Sequence, residues 1–160
     1  MEVSMLLRTK TALKECQEHL EATASSGTSI ESYLTQHVLV LFSADIQQAI
    51  YELLEKKAEQ VDQVSMRLFI STAGKMLVRG VKKEAIAGFV NYFGTDAKEK
   101  FDIYLKDKEQ EITRYGNAIG SRDSVAHRKG AQVTFSEILQ AVTAAELILS
   151  AVEIALEIND

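Results

Sequence analysis

Residues 28–60 read TSIESYLTQHVLVLFSADIQQAIYELLEKKAEQ, without a proline or a glycine. Ile30, Leu34, Val38, Leu41, Ile46, Ile50, Leu53 and Leu54 recur at helical spacing along this stretch. Thr28 and Glu31 form the T-x-x-E pattern of a capping box, in which hydroxyl and carboxylate satisfy backbone N–H groups at a helix start. The spacing predicts one helix from residue 28 to about residue 60, a length that suits a bundle better than a small mixed fold.

Upstream, Met5, Leu6, Leu13, Cys16 and Leu20 predict a first helix over residues 3–23, stopped by Ser25-Ser26-Gly27. Downstream, Val64, Leu68, Phe69 and Ala73 mark a third, shorter helix, with Gly74 and Gly80 as interruptions. Val81 to Phe93 reads as another, with Gly94 as its C-cap. Thr95 and Asp96 are candidate caps for the next, which carries Phe101, Tyr104, Leu105 and Ile112. Gly116 and Gly120 punctuate the approach to Ser121. A second capping box, Thr134 with Glu137, opens a last helix bearing Ile138, Leu139, Val142, Leu147, Ile148, Val152 and Leu156. No segment alternates with the period of a strand. The expected fold is all-α, a compact helical bundle with a long second helix and a C-terminal packing helix, forming one domain over residues 1–160.

Composition agrees. The chain has 160 residues, 46% hydrophobic and 26% charged, in the range of globular domains rather than disordered chains. It has no proline, where average usage would give roughly eight, so nothing forces a helix to break. The single cysteine, Cys16, excludes an internal disulfide framework and fits a reducing compartment. The sequence MEVSMLLRTK has no signal-type apolar core, and the longest apolar run, Val38 to Phe42, is far short of a span. A cytoplasmic location with no membrane partner is expected. Net charge is −5, but residues 61–110 and 111–130 are each +2, while residues 131–160 hold five acids and no Lys or Arg. The overall acidity argues against bulk nucleic-acid coating but not against a local basic site in the middle of the chain.

Groups for chemistry are few. No H-E-x-x-H, C-x-x-C, G-x-G-x-x-G, Walker-type or G-x-S-x-G motif occurs. No metal site and no cofactor are expected. His19, beside Glu18, is expected to be a solvated surface side chain, and His37, among Leu34, Val38 and Leu41, a half-buried, hydrogen-bonded one. Met5, Met66 and Met76 are expected as core fillers, and Tyr115 as core, with base stacking as the alternative. Asp45 and Glu52 are expected as solvated helix-face charges, the alternative being a carboxylate in a site.

His127 stands in different company. Residues 120–130 read GSRDSVAHRKG. Asp123 and His127 are four apart and share a helix face, where the carboxylate can fix the imidazole tautomer. Arg122 supplies a permanent planar cation suited to phosphate, Ser124 a hydroxyl, and Arg128 and Lys129 further positive charge. Arg114 adds a cation two turns earlier. Such groups suffice for metal-free phosphodiester cleavage: one moves the 2′-OH proton, one protonates the leaving 5′-oxygen, and a cation holds the charge on phosphorus. The alternative is a set of surface contacts at a helix end.

Arg122-Asp-Ser-Val-Ala-His127 resembles the R-φ-x-x-x-H signature of HEPN domains, φ being a polar residue, commonly asparagine. The long second helix around residues 37–54, and Thr134-Phe-Ser-Glu-Ile-Leu-Gln-Ala141, are similar to the RiboL-PSP-type branch of that family, and the resemblance spans about residues 5–157. It implies a homodimer whose two motifs meet in a composite, metal-independent endoribonuclease site, in a toxin–antitoxin or antiviral-defence setting. By that resemblance Arg122 and His127 are the catalytic pair and Asp123 is the polar support; Arg128, Lys129, Ser124 and Arg114 are, from their own chemistry, the residues expected to contact RNA. Asp123 replaces the usual asparagine, and Arg128-Lys129 precede the glycine that often follows the histidine directly. The alternative is a catalytically inactive HEPN-like interaction module that dimerises or binds a partner protein such as an antitoxin or defence-system subunit.

Overall fold

The computed structural model describes residues 5–126 and 133–158, without the side chains of residues 124–126. The fold is all-α. Among the described residues there are seven helices and no strand: α1 (Leu7–Ala22), α2 (Ser29–Glu59), α3 (Val64–Leu77), α4 (Lys83–Asn91), α5 (Thr95–Leu105), α6 (Glu109–Ala126) and α7 (Phe135–Ala155). The long second helix and the C-terminal helix stand where the apolar spacing puts them. They group into two compact units, one of Met1–Asp45 with Gln110–Glu146, the other of Ile46–Glu109 with Leu147–Asp160.

In the first unit, α1 begins after Leu6, whose φ of 60° is left-handed and which offers no side-chain cap. The cap comes instead from Asp45, 36 residues away. Its Oδ2 accepts 2.9 Å hydrogen bonds from both the Thr9 N–H and the Thr9 hydroxyl, and the Arg8 Nε lies 3.9 Å from its Oδ1. An anion at a helix N-terminus meets the unsatisfied N–H groups and the positive end of the dipole. Asp45 is buried, so the expectation of a solvated charge is corrected: it is a structural cap, and it can be buried because its oxygens are satisfied. Leu13, Leu20, Val38, Leu39, Phe42, Tyr115, Ile119 and Ile138 are buried in the same unit. The Tyr115 ring meets Phe42 edge-on, with centroids 6.3 Å apart, so Tyr115 is core.

In the second unit Ile50, Leu53, Leu54, Ile86, Phe89, Val90, Phe101, Ile148 and Leu149 are buried. Gly74 lies inside α3 and does not end it. A Cβ there would stand 3.0 Å from a Leu54 methyl, so its hydrogen lets α3 lie close against α2. Gly94 is also reassigned. With φ of 117° it is the N-cap of α5, and Thr95 is already helical, without a side-chain cap bond from either neighbour. α5 ends at Leu105, short of Ile112, where the backbone turns, with Lys106 N–H donating to the Ile103 carbonyl and Lys108 N–H to the Leu105 carbonyl; the Lys108 Nζ caps the Tyr104 carbonyl at 2.6 Å and sits 4.5 Å from the Tyr104 ring centroid. α7 is long and apolar enough to cross a membrane, yet over half of that stretch is buried, as in the core helix of a folded domain.

Asp45→Ala strips the partner from the buried Thr9 N–H and hydroxyl and is expected to cost about 2–3 kcal/mol of unfolding free energy, whereas Asp45→Asn, which retains an acceptor, costs less. Urea titration of the two variants against the parent checks both the size and the order.

Candidate functional site

α6 carries the candidate site at its C-terminal end, within the first unit. Arg114, Asn117 and Ser121 fall at i, i+3 and i+7 on one face, and Gly116 and Gly120 are a turn apart beside them. Both glycines are inside the helix, which corrects their reading as breaks. Nothing lies within 4 Å of where their side chains would be. Across from them, Val133, Glu137 and Gln140 repeat at i, i+4 and i+7 where α7 starts. Together these residues line an open cleft of about 560 Å³.

The cleft is mixed in charge. Among the described residues that line it, Arg114 is the cation and Glu137 the carboxylate. The second capping box is fully formed: Thr134 donates to Glu137 Oε2 from its N–H at 2.7 Å and its hydroxyl at 2.9 Å, and the Glu137 N–H donates to Thr134 Oγ1 at 3.3 Å. The Thr134 N–H, and then the hydroxyl, hold the Glu137 carboxyl below its ordinary range, so it is an anion at neutral pH. The first box is altered. Thr28 Oγ1 accepts from the Ile30 N–H at 3.2 Å, while Glu31 reaches the Gly27 N–H.

Arg122 and Asp123 stand next to the cleft-lining residues, both half-buried. Arg122 Nη1 donates to Asp123 Oδ1 at 3.2 Å, so the guanidinium has a carboxylate partner on its own helix. Of the sequence-derived site residues, the structure thus joins Arg122 to Asp123 and sets Arg114 in the cleft. His127, Arg128 and Lys129 lie outside the described residues, as does the Ser124 side chain. Asn117, Ser121, Glu137 and Gln140 were not among the sequence candidates; the i, i+4 glycine pair flanking Asn117 is the signal that points to them.

The other titratable candidates are not among the residues described as lining the cleft. His19 is exposed, as expected. His37 is exposed too, which corrects the half-buried expectation: its neighbours Val38 and Leu39 turn fully inward and leave the imidazole on the face of Tyr33 and Val40. Glu52 is exposed and accepts from Gln48 Nε2 at 3.2 Å. The Cys16 thiol is pushed up by burial and by Glu15, which leaves it a neutral thiol and a poor nucleophile at neutral pH. Among the described residues no three His, Cys, Asp or Glu side chains cluster as metal ligands do.

A carboxyl with a lowered folded pKa contributes stability above its unfolded value and loses it as pH falls through the folded value. Thr134→Ala is therefore expected to cost about 1 kcal/mol near neutral pH, and the gap from the parent should narrow below about pH 4 as Glu137 protonates. Urea unfolding of parent and variant across that range measures it. Comparison of the chain with protein-family models, with curated proteins and with solved structures yields no match.

Proposed function

We propose that this chain is a HEPN-like, metal-independent endoribonuclease in which Arg122 and His127 of two copies form one site. The observation that carries the reading is the half-buried Arg122–Asp123 pair at the end of α6, four residues from His127 and beside an open cleft that holds a second arginine. The reading is supported by helix α7, Phe135–Ala155, which follows the motif in the chain as the final packing helix of such a domain would.

The chemistry follows from what each group can do. One imidazole takes the 2′-OH proton as the oxygen attacks phosphorus; a second, protonated, gives a proton to the departing 5′-oxygen. One imidazole cannot serve both ends at once, and a two-fold axis supplies the second without new sequence. The guanidiniums hold the non-bridging oxygens as charge builds. Asp123 shares the Arg122 charge before RNA arrives, so the phosphate must compete with a carboxylate for it.

That pairing also favours the second reading, an inactive interaction module, because a guanidinium neutralised by its neighbour binds phosphate less well. The two readings separate on one assay. As a nuclease the chain cleaves RNA in excess EDTA, leaves 2′,3′-cyclic phosphate ends, and loses at least about 100-fold in rate on His127→Ala. Asp123→Asn frees Arg122 and is expected to raise the rate. Cleavage unchanged in His127→Ala, with the helical circular dichroism intact, excludes the nuclease assignment; no cleavage by parent or by Asp123→Asn favours the module.

A further inference from the structure

Helix α3 is at odds with its own composition. Val64, Met66, Leu68, Phe69 and Met76 are all exposed, Met76 by 77%, and Gly74 is the one residue of the helix that is buried. Met66 and Met76 are therefore not the core fillers their type suggests. At 100° per residue, Gly74, Ile70 and Leu77 mark the inward edge, and the five exposed apolar side chains spread over an arc of about 200° on the rest.

The charge along this stretch is mainly positive. Residues 62–84 hold Arg67, Lys75, Arg79, Lys82 and Lys83 against Asp62 and Glu84 at the two ends, a net +3 in a chain whose net charge is −5. Arg79 and Lys82 are exposed just past the end of the helix. Arg67 is exposed on α3 and donates to the Val61 carbonyl, and Lys75 pairs with Glu55 from outside the stretch.

From this combination we propose that α3 docks on an anionic lipid surface, with Leu68, Phe69 and Met76 in the headgroup–acyl boundary and the flanking Arg and Lys side chains on lipid phosphates. A symmetric pairing with α3 of a second copy would set cations against cations. A grooved protein partner reads a narrow stripe at i, i+3, i+4 and i+7, whereas an arc this wide suits a fluid phase with no holes to match. The expectation of no membrane partner rests on the lack of a spanning run, and a helix lying in the interface needs none. This inference is independent of RNA cleavage.

The test is co-sedimentation of the full chain with phosphatidylcholine vesicles with and without phosphatidylserine. Binding is expected only with phosphatidylserine and should fall steeply with added salt. Phe69→Asp with Met76→Asp alters exposed positions, so helical circular dichroism should persist while vesicle binding falls at least about tenfold; Arg79→Gln with Lys83→Gln should lower it by a similar factor. Absence of binding to phosphatidylserine vesicles, equal binding to both vesicle types, or binding retained by the Phe69/Met76 variant overturns the proposal. Binding to polyglutamate without vesicle binding also overturns it, in favour of an acidic protein partner.

Discussion

Asp45 is the hinge of the first unit's packing. Helix α1 starts without a local cap, after a left-handed leucine, and so exposes N–H groups that must find an acceptor. A buried carboxylate from the middle of α2 supplies it, and the Thr9 hydroxyl completes the carboxylate's own needs. Each side would be costly alone: a buried anion without donors, or a buried helix start without an acceptor. Their mutual dependence sets the register in which α1 lies on α2. The ion pair of Lys10 with Glu146 then ties α1 to α7 in the same unit.

The cleft beside Arg122 has a related logic. Two glycines one turn apart remove side chains from one face of α6, and that absence makes the space. Glu137 lines the space because the α7 cap requires its carboxylate close to Thr134, so a group needed to start a helix also sets the cleft's electrostatics. A phosphate entering there meets Arg114 and Glu137 together. In the proposed nuclease this favours a bound strand held on the Arg122 side, where among the described residues Asp123 is the carboxylate paired with the guanidinium.

The helices were legible because their signals are local. Apolar spacing located α2 and α7, and the Thr134–Glu137 box formed as its pattern implies. Where local signals compete, the sequence misled. Gly94 can end one helix or begin the next; its φ of 117° and the bond from its N–H to the Asn91 carbonyl place it between the two, as the N-cap of α5. Gly116 and Gly120 look like breaks, but the flanking Tyr115, Ala118 and Ile119 are buried, and that packing outweighs the roughly 1 kcal/mol each glycine costs a helix.

Local signals in the chain are enough for the all-α class, the long second helix, the helix starts marked by capping boxes, and the R-x4-H spacing, since all depend on residues within a turn or two of each other. Tertiary structure decided which polar groups are functional candidates and which are mortar. Asp45 became a cap through a partner 36 residues away, and His37 and the α3 methionines were left in solvent. Burial and pairing arise from contacts between segments distant in the chain, and periodicity along one helix carries no information about them.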